Sequence, residues 1–212
     1  MISKSEREQI IALINREVVP AIGCTEPIAV ALCVAKATET LGCRPEKIQA
    51  LLSANILKNA MGVGIPGTGM IGLPIAIALG ALIGKSEYQL EVLKDSTPEA
   101  VEEGKKLIDS QAINIALKYG IEEKLYIEII CEAQGKKATA IISGGHTNFV
   151  YVARNGEVLV NKQTSATDEA AADDVELTLR KVYDFATTSP IEELKFILET
   201  RNLNKQAAER SF

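Results

Sequence analysis

The chain has little with which to build a metal site of its own or to meet a polyanion. Its four cysteines, Cys24, Cys33, Cys43 and Cys131, form no CxxC pair, and the single histidine, His146, stands at zinc-ligand spacing from none of them. That argues against a disulfide framework and against a self-contained zinc site. A basic excess is missing too: 23 Lys and Arg against 28 Asp and Glu leave a net charge of -5 and a pI near 5.1, so no nucleic acid and no anionic membrane is expected as a partner. The polar N-terminus, MISKSEREQI, lacks the apolar region of a signal peptide. The main apolar run, Ile71 to Ile83, is shorter than the ~20 residues of a bilayer span. Internal repeats and low-complexity segments are absent, and a cytoplasmic location is expected.

What is present is material for a core. With 212 residues and 47% hydrophobic content, the chain is long enough to bury one, and a single α+β domain over residues 1–212 is expected. Ser3 or Ser5 caps a first helix with Ile10, Ile11, Leu13, Ile14 and Val18 on one stripe, ended by Pro20. Thr25 caps a second, with Glu26 and Pro27 in its first turn and Gly42 at its end. Lys47 to Leu52 alternates as a short strand, and a helical turn follows at Ile56 to Ala60. Thr97 and Pro98 open an amphipathic helix. Ala112 to Lys162 reads as an antiparallel meander of four or five strands, a sheet subdomain, with hairpin turns at Gln134-Gly135 and Asn155-Gly156. Helices return over Asp168 to Ala186 and, capped by Ser189 and opened by Pro190, as far as about Glu199.

The chain is organised around Met61 to Gly84, MGVGIPGTGMIGLPIAIALGALIG, which holds seven glycines and no charge. Gly62, Gly64, Gly67 and Gly69 form a loop whose N-H groups few side chains shield. The residues after it are apolar on nearly every face, as in a helix buried in a core. A glycine loop feeding a helix N-terminus is ready to hold an anion; it serves equally for close backbone packing, and it matches neither GxxxxGK[ST] nor GxGxxG.

Three other places carry chemistry. Cys24, in Gly23-Cys24-Thr25-Glu26-Pro27, lies at a helix start, where a thiol is pushed toward the thiolate that binds metal or attacks carbon. His146, in Ser143-Gly144-Gly145-His146-Thr147-Asn148, sits between two predicted strands and suits a base or an orienting group. Lys58 and Asn59 precede the glycine loop by one turn and are placed to hold a carboxylate. Each also has a plain structural reading: a core thiol, a solvated imidazole, a solvated helix face.

GCTEPIA, then NILKNAMGVGIPGTGMIGLP, then SGGHTN, in this order, closely resemble the L-cysteine desulfidase and UPF0597-type family, related to the α part of iron-sulfur L-serine dehydratases. The resemblance implies a lyase that removes the β substituent of a small L-amino acid, cysteine or serine, to give pyruvate and ammonia, with sulfide when the substrate is cysteine. It implies an oxygen-sensitive 4Fe-4S cluster with Cys24 as one ligand, and His146 with Cys24 as the catalytic residues. Gly67, Thr68 and Gly69, with Lys58, Asn59, Thr25, Glu26, Thr147 and Asn148, become the candidates for substrate binding. The family's other cluster cysteines lie in a C-terminal half; Cys33, Cys43 and Cys131 do not match them. The chain therefore looks like an N-terminal portion of the enzyme, inactive alone, with an incomplete cluster or none, its missing half as partner, and a homo-oligomer possible. A pyridoxal phosphate lyase using Lys58 for the Schiff base, and a non-catalytic amino-acid-binding or assembly module, are the alternatives.

Overall fold

The structure, a computed structural model, describes residues 2–162 and 175–209. In chain order its elements are α1 (Lys4–Glu17), α2 (Thr25–Leu41), β1 (Lys47–Leu52), α3 (Ala54–Ala60), β2 (Gly64–Ile65), β3 (Met70–Ile71), α4 (Leu73–Leu82), α5 (Pro98–Asp109), β4 (Ile113–Leu117), β5 (Tyr126–Ala133), β6 (Lys136–Ser143), β7 (Phe149–Arg154), β8 (Glu157–Asn161), α6 (Leu179–Thr188), α7 (Ile191–Leu194) and α8 (Leu198–Glu209). The class is α+β, as expected. The chain divides into two compact units, residues 20–165 and residues 1–19 with 166–212.

The larger unit is built on a six-stranded mixed sheet of order β4-β1-β5-β6-β7-β8. Of the strands expected as one antiparallel meander over Ala112 to Lys162, β4 does not join it, pairing instead in parallel with β1, whereas β5 to β8 form the meander. Its turns are those the sequence announced: Gln134 and Gly135 have φ of 53° and 71°, Asn155 and Gly156 50° and 87°, the pair of positive values that a two-residue hairpin matched to sheet twist requires. The sheet then goes beyond the meander. β1, from before the glycine segment, inserts between β4 and β5, parallel to the first and antiparallel to the second. Alternation marks all three as strands, but it carries no information about which strand pairs with which.

One face of the sheet is covered by α2, which packs on β5, β6 and β7; α4 packs on α2, and α5 on α4. Residues 27–35 of α2 are buried without a break, and so are Leu73, Ile75 to Ala81 of α4. Two helices, rather than the one expected over Ile71 to Ile83, are therefore immersed in the core. The backbones of α2 and α4 touch at Gly80, where an added Cβ would lie 2.6 Å from the Ala31 carbonyl oxygen. Cys33 and Cys131 are core thiols. Cys33 Sγ is 3.3 Å from the Ala140 carbonyl oxygen, and burial pushes Cys131 up to about 12.

The smaller unit contains α1 and α6 to α8. Ser3 caps α1 in a reciprocal capping box with Glu6, and Arg7 grips Glu193 through two hydrogen bonds of 2.8 and 3.1 Å. The helix expected over Asp168 to Ala186 begins at Leu179, capped by Thr178; its expected start lies outside the described residues. Pro190, not Ser189, is the cap residue of α7, and Ser189 ends α6. The helical path continues past Glu199 to Glu209. Among the described residues no helix is long and apolar enough to cross a membrane.

Candidate functional site

Two of the segments singled out in the sequence meet at one carboxylate, Glu26, and a third acts on it through charge. The chain enters α2 through Gly23, whose φ of 78° is open to glycine at little cost. Cys24, not Thr25, is the N-cap, and its side chain caps nothing. Its thiol turns inward and donates to Glu26 Oε2 at 2.9 Å. Thr25, the first residue of the helix, places its hydroxyl 3.4 Å from the same oxygen. The other oxygen, Oε1, accepts from Asn59 Nδ2 at 3.3 Å. Asn59 comes from α3, which Ser53 starts by accepting the Ile56 N-H and donating to the Lys124 carbonyl at 2.8 Å. Lys58 is exposed in the last turn of α3.

His146, in the β6–β7 connection, lies within electrostatic range of this carboxylate. Glu26 is held below its ordinary value of 4.5 first by the Cys24 hydrogen bond, then by its own backbone and Asn59, with the His146 charge adding to them and burial opposing them. The turn that carries His146 is tied internally. Gly144, at φ 77°, donates to the Leu125 carbonyl at 3.1 Å. Asn148 donates its amide to the Ser143 carbonyl at 3.0 Å and accepts from Lys162 Nζ at 3.1 Å, so Asn148 acts on the turn itself. Thr147 is exposed within it.

The thiol differs from expectation. Burial first, and the Glu26 carboxylate next, hold Cys24 above its ordinary value, where a helix N-terminus alone would have lowered it. A negative charge 2.9 Å away disfavours a second one on sulfur.

The glycine segment differs as well. It does not run straight into a helix N-terminus but folds back as a hairpin, β2 on β3. Gly67 and Gly69, at φ 76° and 64°, form its exposed tip with open space where a Cβ would stand. Thr68 is absorbed by that tip: its hydroxyl donates to the Ile65 carbonyl at 2.7 Å and accepts the Met70 N-H at 3.0 Å. Gly72 alone reaches the N-terminus of α4, as its N-cap at φ 85°, with a Cβ position 2.7 Å from the Met61 carbonyl oxygen. The hairpin meets the rest of the site through a contact the sequence did not signal: a Cβ on Gly23 would lie 2.9 Å from Pro66 Cγ.

The cysteines test the expected cluster. Cys24 is half-buried at the site, whereas Cys33 and Cys131 are sealed in the core. Cys43 lies beyond the far end of the 17-residue helix α2, ~26 Å along its axis at 1.5 Å per residue. Among the described residues no group of three or more His, Cys, Asp or Glu is placed to hold a metal ion. A 4Fe-4S cluster needs three or four thiolates, so this chain by itself does not fit one.

No family model matches the chain, and no solved structure does. Relatives are found among curated proteins. The UPF0597 protein of Phocaeicola vulgatus is 82% identical over all of this chain and 49% of its own length. That of Bacteroides thetaiotaomicron is 68% identical over 99% of the chain and 49% of its length, and that of Aeromonas hydrophila 40% identical over 97% and 47%. The chain thus spans about half the length of the curated relatives it matches. Similarity that runs through the whole chain to proteins of one name supports its membership of the UPF0597 family.

Proposed function

We propose that this chain is one half of a lyase that eliminates the β substituent of a small L-amino acid, cysteine or serine, and that it contributes the base and part of the binding site. The supporting observation is the meeting of GCTEP and NILKNA at Glu26, where a thiol, a hydroxyl and an amide contact one carboxylate and the charge of His146, from SGGHTN, acts on it. In the reaction His146 takes the α proton, the C–S or C–O bond breaks as the Cα–Cβ double bond forms, the β substituent departs with the bonding pair and takes up a proton to leave as hydrogen sulfide or water, and the resulting aminoacrylate tautomerises and hydrolyses to pyruvate and ammonia.

Both Glu26 oxygens already accept hydrogen bonds from the protein, so in this reading Glu26 orients its neighbours, and the substrate carboxylate is left to exposed donors, Lys58, Thr147 and the N-H groups of Gly67 and Gly69. The cluster suggested by the resemblance does not fit this chain alone; Cys24 would supply one thiolate, and the others would come from the half the chain does not span. The test is pyruvate release from L-cysteine and L-serine by the protein prepared without oxygen at the length of its relatives. Release that falls with His146→Asn is expected. No pyruvate from either amino acid would overturn the proposal.

A further inference from the structure

Among its described residues the smaller unit carries an exposed apolar face. On α6, Leu179, Val182 and Tyr183 follow one another at i, i+3 and i+4 and are 87%, 48% and 61% exposed, the spacing with which a surface helix normally faces a core. The same helix buries a single residue, Phe185. In all of the unit's described residues only Ile10 and Phe185 are buried apolar side chains, and α7 and α8 bury none, while Ile191 and Leu198 stand 76% and 56% exposed. Helices of 10, 4 and 12 residues do not persist in water on propensity and need a packed face. Large apolar side chains exposed together on one helix face mark an interaction site.

We infer that the α6 stripe of Leu179, Val182 and Tyr183 is where the half of the protein outside this chain docks. The inference rests on the reading that the chain is one half of a longer protein. Its relatives carry about as much sequence again, since the chain covers 49% of their length. A covalently joined segment presents itself at millimolar effective concentration, which a second copy of this chain would rarely match. The occupant is therefore the tethered half, offering an apolar surface to the stripe.

The probe is a thiol at position 182, introduced as Val182→Cys both in the 212-residue chain and in the protein at the length of its relatives, with maleimide labelling followed by peptide mass spectrometry. Labelling should be at least tenfold slower in the longer protein, and Leu179→Asp added to it should restore the fast rate. Equal rates in both would overturn the inference. Slow labelling in the 212-residue chain that speeds up on dilution would also overturn it, by giving the face to a second copy. Labelling needs no turnover, so a protected but inactive protein would sink the lyase reading and leave the docking face standing, and an active, unprotected one would do the reverse.

Discussion

Gly80→Ala tests the packing that holds the site's helix in place. Gly80 lies inside α4 and faces Ala31 of α2, with its would-be Cβ 2.6 Å from the Ala31 oxygen, 3.1 Å from its Cα and 3.2 Å from its carbonyl carbon. To reach ordinary contact at 3.4 Å, the helices would separate by about 0.8 Å, a gap that forfeits a quarter to a half of the dispersion attraction of the atoms along the seam. α2 has no room to retreat, because its other side packs on β5, β6 and β7. Overpacking costs ~1–3 kcal/mol, and with three Ala31 backbone atoms closer than 3.4 Å the upper part of that range, ~2–3 kcal/mol, applies; the better helix propensity of alanine returns ~1 kcal/mol. The net loss is then ~1–2 kcal/mol, a Tm lower by roughly 2–8 °C for a domain of this size. Thermal unfolding followed by circular dichroism reads it directly, with Gly62→Ala as control, since nothing lies within 4 Å of that Cβ position and its backbone is not left-handed. A Gly80→Ala protein as stable as the wild type would refute the argument. Displacement of α2 would also reach the site, because Ala31 is two turns along the helix whose first turn holds Glu26.

Four further outcomes follow from the geometry. Native protein should expose two thiols to alkylation, Cys24 and Cys43, and unfolded protein all four; Cys24 should react with an alkaline-shifted pH profile that Glu26→Gln moves back toward neutrality. Because Glu26 is depressed from 4.5, its contribution to stability is present above the unfolded value and lost as pH falls through the folded one, so the stability gap between wild type and Glu26→Gln should close in acid denaturation series below that range. Thr68→Val should lower stability by ~1 kcal/mol in urea unfolding through loss of the tip's hydrogen bonds. His146→Asn, in the protein at full length, should cut turnover by ~100-fold, the scale of general acid-base catalysis, with folding unchanged by circular dichroism.

Local signals carried much of the fold. Ser3, Thr97 and Pro98 mark helix starts and the two hairpin turns sit on Gln134-Gly135 and Asn155-Gly156, because caps and turns are decided by a few neighbouring residues. The strand order was not legible. β1 joins the sheet between β4 and β5 over sequence separations of 65 residues at Ile48 with Ile113 and 83 with Cys131, and alternation is the same whichever partner a strand takes. The second buried helix was half legible: α2 shows an apolar stripe, but Ala29, Ala31, Ala35 and Ala37 are small enough to read as either face. Only the contact with α4 on one side and the sheet on the other makes them core.

The site shows the same division at closer range. Cys24, Glu26, Asn59 and His146 were all candidates, yet their roles relative to one another depend on hydrogen bonds that no spacing encodes: Asn59 reaches Glu26 across 33 positions, and Gly23 fits against Pro66 across 43. The helix-start argument for Cys24 took only the backbone into account, and the backbone does lower the thiol's value; the carboxylate two residues later, turned back onto the sulfur, together with burial, outweighs it. In the glycine segment, the regular return of glycine between Val63, Ile65, Met70 and Ile71 fits a two-stranded hairpin as well as it fits an anion loop, and Thr68 decides between them by spending its hydroxyl on the turn. If the tip's N-H groups share in binding the substrate carboxylate as proposed, KM should tolerate Thr68→Val but rise with a side chain at Gly67, where φ is 76°.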